Sequence, residues 1–77
     1  MQSEPQSGLG KAVRALREEA GLDQATLAER AELPTSLIAE IESGVSDPTW
    51  GDMRKVAAAL GVTLETLSEL AEEFEAN

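Results

Sequence analysis

Cysteine and histidine are both absent from the 77 residues, which removes disulfides, thiol chemistry, zinc fingers and imidazole acid–base catalysis together. Cations are scarce. Six Lys and Arg stand against 15 Asp and Glu, for a formal net charge of -9. No apolar run approaches the roughly 18 residues needed to span a bilayer, and the start, MQSEPQSG, lacks a basic stretch followed by an apolar one. These absences predict a soluble, unexported, cytoplasmic protein with no metal, no cofactor and no membrane partner. Apolar and polar residues nowhere alternate with period two, and β-branched residues never cluster, so strands have no support. Neither an internal repeat nor a low-complexity segment is visible. A chain of this length buries only about 60% of its unfolded surface, which predicts one domain with an economical core.

What is present is helical. Residues 1–8 are polar, with Pro5 and Gly8, and are expected to form a disordered arm or a remnant of cloning, leaving 9–77 as the domain. Leu9, Ala12, Val13, Leu16 and Ala20 make one apolar stripe, and Gly21 suits a helix stop. Asp23 is placed as the N-cap of a second helix from Gln24 to about Ala31, with Leu22 and Leu27 as its hydrophobic staple. Pro34 fits near the first position of a third, from about Thr35 to Ser43, closed by Gly44. Thr49 and Asp52 form an acidic variant of a capping box for a fourth, whose expected buried face is Trp50, Met53, Val56, Ala57 and Leu60 before Gly61. Thr63 opens a fifth, with Leu64, Leu67, Leu70, Ala71 and Phe74 as its stripe. The expected fold class is all-α, a compact five-helix bundle.

The block Gln24 to Gly44, QATLAERAELPTSLIAEIESG, carries the most information. Ala25, Leu27, Ala28, Ala31, Leu33, Leu37, Ile38 and Ile41 keep the i, i+3, i+4 spacing with one interruption around Glu32–Pro34, so two short helices cross and share a small core. That is a helix-turn-helix signature over residues 24–43. Its strongest elements are Gln24-Ala25-x-Leu27-Ala28, then Ile38-x-x-Ile41-Glu42-x-Gly44, Pro48 and Ala57-x-x-Leu60-Gly61-Val62. In that order and at those spacings the chain resembles the phage repressor and Cro-type (XRE-like) helix-turn-helix family over roughly Leu9 to Leu70.

The resemblance implies a lambda-repressor-like fold and a sequence-specific DNA-binding transcriptional regulator, not an enzyme. It implies that the third helix enters the major groove while the second crosses the sugar–phosphate backbone. By position, Thr35, Ser36 and Glu40 would meet bases. Gln24 would reach a phosphate and brace a neighbouring side chain of the third helix, and Ser43 would lie near the backbone. The first turn of the fourth helix, from Thr49 to Gly51, would offer N–H groups to a phosphate. Arg17 and Glu42 would form a structural ion pair.

Several residues admit a plainer reading. Thr35 and Ser36 serve equally as first-turn capping residues. Glu40 can accept from cytosine N4 or simply be solvated. The candidate basic patch, Lys11, Arg14 and Arg17 with Arg54 and Lys55, can be a solvated face; of these, Arg14 is the candidate DNA contact. Trp50 is expected to fill the core beneath the fourth helix. Leu64, Leu67, Leu70 and Phe74 either seal a homodimer or dock on the first four helices.

Helix 3 holds no cation, and Glu32 stands where a glycine is frequent. Five of the acids fall in residues 65–77, which leaves ten acids for six bases over 1–64. The alternative function is therefore a protein-interaction module, antitoxin-like or an adaptor, with weak or no DNA binding and a partner on the acidic C-terminal helix.

Overall fold

The computed structural model describes residues 8–46 and 48–76, so the expected arm falls almost wholly outside the described residues, as does Asp47. Five helices follow one another: α1 Gly8–Glu19, α2 Gln24–Ala31, α3 Thr35–Ser43, α4 Trp50–Leu60 and α5 Leu64–Ala76. No helix of the described residues is long and apolar enough to cross a membrane.

The boundaries follow local chemistry. The Asp23 carboxylate accepts from the Thr26 N–H at 2.7 Å and starts α2. Thr49 and Asp52 close a reciprocal capping box at the start of α4, with bonds of 3.2 and 3.0 Å. Gly21, Gly44 and Gly61 take positive φ after α1, α3 and α4, where a side chain would be strained. Pro34 is the N-cap of α3 in an extended conformation, directly before the first helical residue, Thr35.

Glu32 ends α2 at φ 59°, ψ 42°, the left-handed region that glycine occupies more readily. Its own N–H and that of Leu33 satisfy the Glu29 and Ala28 carbonyls at 3.2 and 2.9 Å. The turn between α2 and α3 thus keeps its hydrogen bonds despite the unfavourable residue.

Ala12, Val13, Leu27, Ala28, Ile38, Ile41, Met53, Val56, Ala57 and Leu67 form one buried core. α1 is the hub, packed against α5, α3 and α4, while α2 packs on α3 and α4. Close approach at the hub depends on glycine. A Cβ built on Gly10 would lie 2.5 Å from the Ile41 carbonyl oxygen and 2.7 Å from that of Glu42. A Cβ on Gly8 would collide with the Ala71 carbonyl of α5. Gly8, assigned to the arm by sequence, is accordingly the first residue of α1 and is buried.

Two side chains depart from their expected places. Trp50 is 73% exposed instead of filling the core. It is the first residue of α4, so its side chain lies beyond the last layer that Met53 and Val56 build. It lines an open groove with Leu9, Met53 and Leu64. Ala20, expected on the α1 stripe, is exposed in the turn after α1 ends.

Gly10→Ala must push α1 away from backbone atoms of α3, which cannot give way as a side-chain tip would. The expected loss is about 1–3 kcal/mol of unfolding free energy, measured by urea denaturation. Glu32→Gly should instead raise stability by about 0.5–1 kcal/mol, since relief of the left-handed strain outweighs the extra freedom of glycine in the unfolded chain; the same titration reads it.

Candidate nucleic-acid interface

α3 has two chemically distinct sides. Ile38 and Ile41 are fully buried and Leu37 half-buried, whereas Thr35, Ser36, Glu40 and Ser43 are exposed. The outward set is polar, and Glu40 is its one charged member. Which way it points is set by the residue beside it, Glu42.

Glu42 is the one buried charged residue among the described residues. Arg17 grips its carboxylate in a bidentate fork, Nε to Oε2 at 2.7 Å and Nη2 to Oε1 at 3.1 Å. Side-chain exposures of 11% for Arg17 and 5% for Glu42 make this a nearly dry pair. The third guanidinium nitrogen of Arg17 donates to the Leu22 carbonyl at 2.8 Å, and Gln24 Nε2 donates to Glu42 Oε1 at 3.0 Å. One carboxylate thereby ties α1, the α1–α2 connection, the start of α2 and the end of α3. The hydrogen bond to Glu42 pushes Arg17 above its already high range, so the guanidinium is charged at any workable pH. The Thr26 N–H holds the Asp23 carboxyl below the usual carboxylate range, which keeps the α2 cap ionised.

Around this network lies an open polar cleft of about 300 Å³, lined by Arg14, Arg17, Gln24, Ala39, Glu42 and Ser43. Arg14, Gln24 and Ser43, expected DNA contacts from three different helices, are thus neighbours. Each already has an internal bond. Arg14 Nε donates to Glu18 at 3.1 Å in an exposed i,i+4 pair. Gln24 directs an amide N–H at Glu42, its bracing partner on α3. The Ser43 hydroxyl donates to the Glu40 carbonyl at 3.2 Å.

Thr35, Ser36 and Glu40 stand on the exposed side of α3 and do not line the cleft. Thr49 also has internal partners. Its N–H and its hydroxyl are both engaged by Asp52, so the first turn of α4 carries its own carboxylate at the end where a phosphate would bind. The Trp50 and Gly51 N–H groups are what is left for an outside acceptor. Of the dimer candidates, Leu67 is fully buried inside its own protomer and is unavailable to a second copy without rearrangement. Leu64, Leu70 and Phe74 are half-buried against the core, and Leu64 borders the groove beside Trp50.

Sequence reasoning passed over Gly10, which lets α1 approach the carbonyls of Ile41 and Glu42. A glycine inside an apolar stripe reads only as a weak helix former. The Leu22 carbonyl was equally invisible, because a backbone acceptor leaves no mark in a sequence.

Arg17→Met leaves the Glu42 carboxylate stranded and should cost about 3–5 kcal/mol. The double variant Arg17→Met with Glu42→Leu should recover most of that loss, because apolar replacement removes both desolvated charges together. Urea titrations of the two single variants and the double one give the coupling; additive losses would show that the two charges act separately.

A family model described as a helix-turn-helix domain matches residues 9–70. The immunity repressor protein of Bacillus phage phi105 is 36% identical over 59 residues, which are 77% of this chain and 41% of that protein. The chain therefore spans about two-fifths of that relative's length. Among solved structures, the restriction-modification controller protein C.AhdI from Aeromonas hydrophila superposes with a TM-score of 0.77 at 32% identity, covering 78% of this chain and 91% of its own. The clp gene regulator ClgR from C. glutamicum shares the fold, with a TM-score of 0.83 at 24% identity over 94% of each chain. With its five helices, its buried α2–α3 crossing and this breadth of match, the chain belongs to the helix-turn-helix domain family, in the all-α, lambda-repressor-like arrangement.

Proposed function

We propose that the chain is a sequence-specific transcriptional regulator that binds double-stranded DNA by setting α3 into the major groove, acts as a homodimer in the cytoplasm, and performs no catalysis. The observation that carries this reading is the division of α3. Its polar side, Thr35, Ser36, Glu40 and Ser43, is open, and its other side is locked by Ile38, Ile41 and the Arg17–Glu42 pair. A rigid, outward polar helix flanked by Arg14 and Gln24 has the form of a groove reader. Support comes also from relatives named as an immunity repressor and a restriction-modification controller protein. A homodimer would present two copies of α3 to half-sites about one helical turn apart, roughly 34 Å.

The acidic balance is compatible with this. Glu65, Glu69, Glu72, Glu73 and Glu75 are all exposed on α5, and α5 and α3 pack on α1 rather than extensively on each other. Charges separated by more than a Debye length of about 8 Å repel DNA only weakly at physiological salt. Affinity must then come from few phosphate contacts and from base readout.

One observation favours a second reading, an interaction module with a protein partner on the acidic helix. Exposed Trp50 flanks an apolar groove of Leu9, Met53 and Leu64 whose rim holds Glu72 and Glu75.

Fluorescence anisotropy against a randomised duplex pool separates the two. The regulator selects a palindromic consensus, and its log K falls with log salt with a slope on the order of two to four; no enrichment even at low salt would leave the interaction module. Glu40→Lys should strengthen non-specific binding and steepen the salt slope by about one phosphate equivalent. Unchanged binding would mean that α3 faces elsewhere.

A further inference from the structure

We infer that Glu40 selects cytosine in each half-site and does so largely by excluding the other bases; the inference rests on the DNA-binding reading above. On the open side of α3, Thr35 and Ser36 carry hydroxyls, which donate and accept and so tolerate many base edges. The Ser43 hydroxyl is turned back to the Glu40 carbonyl at 3.2 Å. Glu40 is the one group on that side that can only accept. It is exposed, and among the described residues no cation pairs with it. Its neighbour in sequence two positions on, Glu42, has taken Arg17 and Gln24. The Glu40 charge is therefore not neutralised from within the protein.

Brought to a major groove, such a carboxylate meets four different edges. Guanine presents acceptors at N7 and O6, and thymine an acceptor at O4 with a methyl group, so both repel it. Adenine offers the N6 amino group but places the N7 acceptor beside it. Cytosine presents the N4 amino group with no acceptor on its own edge, and it alone satisfies the carboxylate without repulsion. Because α3 carries no cation to soften the repulsion, discrimination falls on this one side chain. A net acidic reading head thus becomes a source of specificity.

The test is selection from a randomised duplex pool with the full chain, its Glu40→Gln and Glu40→Ala variants, followed by binding to the selected duplex. Among the described residues the Glu40 side chain makes no hydrogen bond or ion pair, so both variants should keep the fold, which a thermal melt checks. The wild-type consensus should contain one cytosine per half-site that becomes adenine in Glu40→Gln, since an amide can pair with adenine N6 and N7. That position should lose its preference in Glu40→Ala while the other positions persist. Replacing this cytosine with 2-pyrimidinone, which lacks the N4 amino group, should weaken wild-type binding on the order of tenfold and leave Glu40→Ala unaffected. A wild-type consensus without that cytosine, or one that survives unchanged in Glu40→Ala, would overturn the assignment while leaving the DNA-binding reading in place. Failure of the wild type to enrich any sequence would overturn both.

Discussion

The Glu42 carboxylate, nearly dry and held by Arg17 and Gln24, is the constraint on which the rest of the arrangement depends. A buried carboxylate is tolerated only when its acceptors are filled, and here the Arg17 fork and the Gln24 amide fill them. Those donors arrive from α1 and α2, whereas the carboxylate belongs to α3. Rotation of α3 about its axis would strand the charge, so the outward presentation of Thr35, Ser36 and Glu40 is fixed by a group that itself faces inward. The pair acts less as a source of net stability than as a lock on orientation, since an apolar pair of similar volume can be as stable.

The lock works because the hub is narrow. Gly10 lets the α1 backbone approach the carbonyls of Ile41 and Glu42, which brings Arg17, two turns further along α1, within reach of the end of α3. Small side chains repeat the theme: Ala12, Ala28 and Ala57 are buried where helices meet. A short chain cannot gain much from core volume, and close backbone packing lets a few branched residues, Val13, Leu27, Ile38, Ile41, Val56 and Leu67, exclude water from the interior.

Most of the fold was legible because its signals are local. Asp23, Thr49 with Asp52, and the three stop glycines each mark a helix end through bonds made within a few residues. What stayed hidden depends on which helix lies opposite. Trp50 continues the α4 stripe by spacing, yet at the first position of α4 its indole is left in solvent at the side of the groove between α1 and α5. Leu67 and Leu70 both lie on the α5 stripe, but only the first is fully buried. Gly8 and Gly10 read as poor helix formers until the carbonyls they admit are known. In the candidate site, the positions of Thr35, Ser36, Glu40 and Ser43 followed from the period of α3 and the Thr49–Asp52 box from its spacing, while the choice of Glu42 as the partner that Gln24 braces did not.

An acidic chain that reads DNA must rely on shape and base edges more than on phosphate attraction, which ties the chemistry of α3 to the rigidity supplied by Glu42. A crystal structure of the chain on the duplex it selects tests that link most directly. The account predicts α3 in the major groove, Glu40 within hydrogen-bond distance of a base amino group, and the Arg17–Glu42 fork still closed. A complex with α3 outside the groove, or with Arg17 swung from Glu42 to a phosphate, would contradict it.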